Sequence, residues 1–136
     1  MPMRVQWEAD FEIGHPVLDA QHQTLLGLCN QLADHAAPGG EEADARDFDQ
    51  ICARLRALAR EHFDAEAAHL EASGEADVED HQVERDEFEY LADEIATTGN
   101  FDRLELQRFL ALWWLGHVTG AVRRQREERA DDNASG

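Results

Sequence analysis

The sequence predicts an all-α fold: an antiparallel up-down-up-down four-helix bundle preceded by an N-terminal arm. Three observations predict it. Breakers divide the 136 residues into four segments, at Pro38-Gly39-Gly40, Ser73-Gly74 and Thr97-Thr98-Gly99-Asn100. Each segment carries apolar residues three and four apart, as one face of a helix requires. No segment alternates every second residue, as a half-buried strand would. Short loops then force neighbours in sequence to be antiparallel neighbours in space.

The arm spans 1–17 and ends near Pro16. Its Trp7, Phe11 and Ile13 are apolar enough to lie along the bundle. The first helix is expected over about 18–36, with the stripe Leu18, His22, Leu25, Cys29, Leu32, Ala36. The second is expected over about 44–72, with Phe48, Ile51, Leu55, Leu58, His62, Glu66 and His69 on one face. The third covers about 77–97, where Asp77 and Asp80 suit a helix start and Val78, His81, Arg85, Phe88, Leu91 and Ile95 form the stripe. The fourth covers about 102–125, opening on the cap-like Asp102-Arg103-Leu104-Glu105. Leu106, Leu110, Trp113, His117 and Ala121 form its stripe. Residues 1–125 make one domain with one core, and 126–136 read as a polar, frayed tail.

Composition narrows the function. The formal net charge is −18 and the chain contains no lysine. Such a surface repels nucleic acid and anionic membranes, which bind through basic clusters. The run Arg123-Arg124-Gln125-Arg126 sits near a helix end, where positive charge complements the dipole. No apolar run approaches the ~18 residues needed to cross a bilayer, and the start lacks a signal-peptide pattern. A cytoplasmic protein, monomeric and without nucleic-acid or membrane partner, is the expectation. Cys29 and Cys52 both fall on apolar stripes and read as small core residues rather than a disulfide.

His22, His62, Glu66, His81, Arg85 and His117 are ionisable, yet occupy stripes that should be apolar. Burying such groups unpaired costs roughly several kcal/mol each. A lone histidine on such a face is usually a satisfied core residue, but here every helix supplies one. One shared site explains them better than four accidents. His62 and Glu66 are four apart and lie one above the other on one helix face, so an imidazole and a carboxylate reach the same ion. These donors suit iron, zinc or manganese. His15 reads as a surface residue, and His35 as a cation at a helix C-terminus. Glu66-Ala67-Ala68-His69 has the Glu-x-x-His spacing of ferritin-like proteins, in one copy rather than two, leaving His69 a possible extra ligand.

Three motifs in register then resemble the hemerythrin family in its single-domain bacterial form. They are Ile13-Gly14 followed by Leu18-Asp19-Ala20-Gln21-His22-Gln23-Thr24-Leu25, His62-Phe63-Asp64-Ala65-Glu66, and Trp114-Leu115-Gly116-His117-Val118. The third helix adds His81 followed by Phe88. The resemblance implies two irons that carry or sense dioxygen or another small ligand. It also implies His22 and His62 on the iron where oxygen binds, Glu66 bridging, and His81 and His117 on the other iron. Two positions depart from the family's pattern: Arg85 stands where a second histidine is expected, and Val122 where a bridging aspartate is expected.

Both losses fall on the second iron or the bridge. A guanidinium stays protonated, so Arg85 facing Glu66 would repel a second metal and could replace it as a buried ion pair. The expectation is therefore one iron rather than two, with zinc or no metal as alternatives. The competing readings are a metal-free structural or interaction module built on a Glu66–Arg85 pair, and a single-metal oxidase using Glu66 and His69. The leading one is a non-enzymatic hemerythrin-like metal-binding protein.

Overall fold

A computed structural model describes residues 1–36, 42–73, 78–98 and 102–135. A short 3-10 turn at Ala9–Phe11 leads into four helices. These are α1 (Pro16–Asp34), α2 (Glu42–Ser73), α3 (Val78–Thr98) and α4 (Arg103–Ser135). There are no strands among the described residues. α1 packs on α2 and α4, α2 packs on α3, and the 3-10 turn rests on α4. No helix among the described residues is long and apolar enough to cross a membrane.

The helix limits differ from expectation in instructive ways. Pro16 opens α1 instead of ending the arm, because proline's fixed φ and missing N–H suit the first helical position. His15 is not a free surface residue: it is the N-cap, and its Nδ1 accepts from Leu18 N at 3.2 Å. Asp102 caps α4, accepting from the backbone of Leu104 and Glu105 at 2.9 and 3.2 Å. α4 continues past Gln125 to Ser135, where a frayed tail was expected. The first loop, Gly74, Asp77, Gly99 and Asn100 lie outside the described residues.

The core follows the predicted stripes with one-residue shifts. Leu25, Leu32, Phe48, Leu55, Phe63, Phe88 and Leu110 are buried as large apolar side chains. Trp114, not Trp113, is the fully buried indole, and Ala59 and Ala92 take interior positions while Leu58, Leu91 and Ile95 pack at the edge. Cys29 is fully buried and Cys52 half-buried, both as free thiols. Burial pushes each thiol up to about 12, so neither is a ready nucleophile.

The arm is held by side-chain amides. Gln107, fully buried on α4, accepts from Met3 N at 2.7 Å and donates to Met3 O and Cys29 O at 2.5 and 3.0 Å. Asn30 on α1 accepts from Val5 N and donates to Val5 O, both at 2.8 Å. The two amides thus satisfy an extended backbone that has no partner strand. Farther on, both oxygens of Asp19 accept backbone N–H groups, from Ile13 at 2.8 Å and Gly14 at 3.1 Å. Gly14 has φ 84°, a left-handed conformation that favours glycine.

Two outcomes test this packing. Gln107→Ala should destabilise the fold by about 1–3 kcal/mol, since it strands buried backbone groups, and should speed hydrogen exchange of the arm amides. Phe63→Ala, emptying a core position, should cost about 3–5 kcal/mol in denaturant unfolding.

Candidate metal centre

Each helix carries one imidazole inward because its apolar stripe continues above and below it. His22 follows Leu18 and precedes Leu25 and Cys29 on α1. His62 and Glu66 sit one turn apart on α2, above Leu55 and Ala59. His81 lies near the start of α3, two turns from Phe88, and His117 lies on α4 beside Trp114 and Ala121. All five side chains are buried.

They converge on the Glu66 carboxylate. Oε2 lies 3.1 Å from His62 Nε2, 3.1 Å from His117 Nε2 and 3.4 Å from His22 Nε2. Oε1 meets His81 Nε2 at 3.1 Å. His62 Nε2 and His117 Nε2 approach within 3.1 Å of one another. His22, His62, Glu66 and His117 each offer one donor atom, and these atoms all lie within 4.8 Å of each other. His81 stands apart from that group, on the far oxygen.

Two further residues orient the rings. His62 Nδ1 lies 2.8 Å from Gln21 Oε1, and His117 Nδ1 contacts Glu84 Oε1. Both partners are acceptors, so each Nδ1 carries the hydrogen and each Nε2 directs its other face to the centre. An imidazole tied back through its outer nitrogen is the usual arrangement around a bound metal. Arg124 Nη1 stands 3.9 Å from the other Glu84 oxygen. The Trp113 ring lies parallel to His117, centroids 6.0 Å apart and planes within 2°, and its Nε1 donates to Glu87 at 2.8 Å. The sequence reading missed both Gln21 and Glu84. Gln21 lay unassigned inside the first motif. Glu84 is three residues from His81, an equally good helical neighbour to Arg85, which was placed on the stripe in its stead.

The electrostatics reflect a cluster held together by one negative charge. Burial alone would push the Glu66 carboxyl up, but contacts with His117, His22, His62 and His81 override it and keep the carboxylate far down. Burial lowers His62 to about 4, so it is neutral at ordinary pH. Burial also acts against charge on His117, yet Glu66 and Glu84 on either side raise it to about 9. Without a metal the His117 imidazolium therefore bridges two carboxylates, donating from Nδ1 to Glu84 and from Nε2 to Glu66. His22 is fully buried, and neither ring nitrogen has a hydrogen-bond partner; its 3.4 Å approach to Glu66 is not aligned as one. A buried imidazole left without partners is unfavourable. A cation at the centre would answer both features, held by His22 and by the His117 nitrogen that otherwise carries a proton toward Glu66. The donor set of three imidazoles and one carboxylate fits such an ion.

Arg85 is not where the sequence reading put it. Its Nη2 pairs with Asp64 at 2.6 Å, and Asp64 is 68% exposed. The buried Glu66–Arg85 pair does not form. Glu66 is already surrounded by imidazoles, and a guanidinium laid across the helix surface keeps its hydration, whereas burial would cost it several kcal/mol, roughly. Val122 is buried in an apolar plug with Ile13, Leu18 and Ala121, so that position supplies no donor. His69 turns against His15, ring centroids 4.8 Å apart, and is not one of the four gathered donors. With Glu66, His81 and Arg124 it lines a small cavity of about 50 Å³ beside the cluster. His35 ends α1 and reaches Asp44 on α2 at 3.0 Å.

The sign of the pH dependence follows. His117 is raised above its unfolded value near 6.5, so its contribution to metal-free stability is complete below about 6.5 and is lost as pH rises through about 9. Histidine-selective NMR of the metal-free protein should show one ring titrating near 4 and another near 9. Glu84→Gln should move the upper one down.

The family model for the hemerythrin HHE cation-binding domain matches residues 14–121. No curated protein and no solved structure gives a significant match. The matched span runs from Gly14 to Ala121, takes in every histidine and carboxylate of the cluster, and covers most of the chain, which therefore belongs to the hemerythrin HHE cation-binding domain family.

Proposed function

We propose that this protein holds a single iron ion at His22, His62, Glu66 and His117 and uses it to bind or sense dioxygen or a similar small ligand. The observation that carries the reading is the gathering of those four buried donors within 4.8 Å, with neither His22 ring nitrogen hydrogen-bonded. Iron, when bound, would supply reversible affinity for a diatomic molecule. The chain's own residues would hold it and control its surroundings. Gln21 and Glu84 fix the two rings, Trp114 and Phe63 keep bulk water out, and the cavity at Glu66 and His81 is sized for a very small ligand.

One ion is favoured over two by charge. Two unit charges 4 Å apart interact by about 4 kcal/mol at an effective dielectric near 20, and two dications multiply that fourfold. Glu66 is the one carboxylate inside the donor group. Val122 withholds a second bridge, Arg85 withholds a histidine, and His117 sits on the same Glu66 oxygen as His62. A second ion beside the far Glu66 oxygen would meet His81 and His69, but also the Arg124 guanidinium that lines the same cavity. The oxidase reading loses support because His69 lies outside the gathered donors. The metal-free module loses its proposed Glu66–Arg85 pair. We assign the protein a binding rather than a catalytic role, in a reducing compartment where both thiols persist.

Metal analysis of anaerobically purified protein should give about one iron per chain, with a melting temperature that rises on loading. Gln21→Ala and Glu84→Gln should each weaken metal binding roughly 10–100-fold. Glu66→Ala should abolish it. Absence of any metal, after iron, zinc and manganese have each been offered, would refute the reading. The pair Arg85→His with Val122→Asp should raise iron content toward two per chain, detected by an oxo-bridged two-iron absorption spectrum. The same spectrum in the unaltered protein would refute the single-ion reading.

A further inference from the structure

The end of the bundle away from the histidines contains a cleft of about 640 Å³ between α2, α3 and α4. That volume lies within the range of small-molecule sites. It exists because side chains there are small: Ala45, Ala53, Ala92 and Ala96 stand along its walls, where a filled core would carry larger residues. Its interior is apolar, with Phe48, Leu55, Phe88 and Leu110 contributing fully buried side chains.

Two guanidinium groups also line it. Arg56 Nη2 is engaged by Glu89 and Asp93 on α3, but its Nε is buried without a hydrogen-bond partner. Arg103 Nη1 is buried without a partner as well. Among the described residues Arg103 makes no hydrogen bond or ion pair. A buried N–H of a permanent cation facing no acceptor is costly, and such groups in native proteins call for a ligand, ion or water.

We propose that the cleft binds a small amphiphile: an aliphatic or aromatic body bearing one carboxylate. The carboxylate pairs with Arg103, whose planar fork matches it, and the body lies against Phe48, Phe88 and Leu110. Asp49 is the one carboxylate lining the cleft, against the two guanidinium groups of Arg56 and Arg103. Glu89 and Asp93 nearby are held by Arg56 and Arg60, while Arg103 has no ion-pair partner among the described residues. Burial of the apolar body supplies affinity, and the ion pair sets orientation. The cleft shares no residue with the metal centre, so this assignment stands apart from the proposed function.

Calorimetric titration of the full chain with decanoate and with decanol tests it. Decanoate should bind once per chain, roughly tenfold tighter than decanol, as a charge-assisted contact implies. Arg103→Gln should erase that preference. Ala96→Phe, at an exposed rim position, should weaken both ligands without changing the melting temperature. Gln21→Ala, which acts on the metal centre through His62 alone and lines no part of the cleft, should leave decanoate binding unchanged. The proposal is overturned if decanoate does not saturate, if decanol binds equally well, or if binding ignores both Arg103→Gln and Ala96→Phe. Should Arg103→Gln unfold the protein, Arg103→Lys serves, with a reduced preference expected and an unchanged one refuting.

Discussion

The interior of this bundle is organised around one negative charge. Glu66 sits almost wholly out of water, and its charge persists only because imidazoles from all four helices surround it. A carboxylate in that setting, stripped of its neighbours, would take up a proton. The imidazoles depend on Glu66 in return, since His62 is neutral by burial and His117 is charged by its two carboxylates. The cluster is therefore a cation trap whose resting occupant is a proton. A metal ion held by the same residues would replace that proton with a larger charge, and its affinity would then depend on pH.

The periodicity of the sequence was enough for the four rods, because stripes at three and four residues admit one burial pattern. It was also enough for His22, His62, Glu66, His81 and His117, since an ionisable group on an apolar face demands a partner. It was not enough to decide direction within a face. His81+3 and His81+4 are both helical neighbours, and only the docking angle of α3 turns Glu84 to the site and Arg85 to Asp64. The charge pairing inferred from Arg85 failed for that reason. Solvation favours it as well: a carboxylate with imidazole partners gains little from a guanidinium that must leave water. The choice between Trp113 and Trp114 is the same one-residue ambiguity, with Trp114 buried and Trp113 laid flat on His117.

The arm shows a second limit. Its apolar residues signalled that it would dock, but not how. The answer lies in Gln107 and Asn30, far away in sequence, each serving both backbone groups of one arm residue. Long-range side-chain capture of an extended backbone leaves no local pattern to read. His15 is the opposite case. It sits immediately before Pro16, and a side chain that can accept at that position caps a helix whose first residue is proline.

α3 is attached differently from the other helices. At the cleft end Arg56 and Arg60 reach across from α2 to Glu89 and Asp93, in half-buried to exposed pairs that are worth little apiece. In its middle Phe88 joins the aromatic stack of Phe63, Trp113 and Trp114. At the other end His81 meets Glu66 and Glu84 meets His117. Phe88, the largest buried apolar side chain of α3, thus lies between two polar attachments, with Ala92, Leu91 and Ile95 packing toward the cleft end, and the stronger attachment is the buried one at the site. Altering the charge on Glu66 or His117 then changes the force holding α3, more than that holding α1, which rests on Leu25, Leu26, Leu28 and Leu32 as well. Occupancy of the centre and docking of α3 are two readings of the same electrostatic balance.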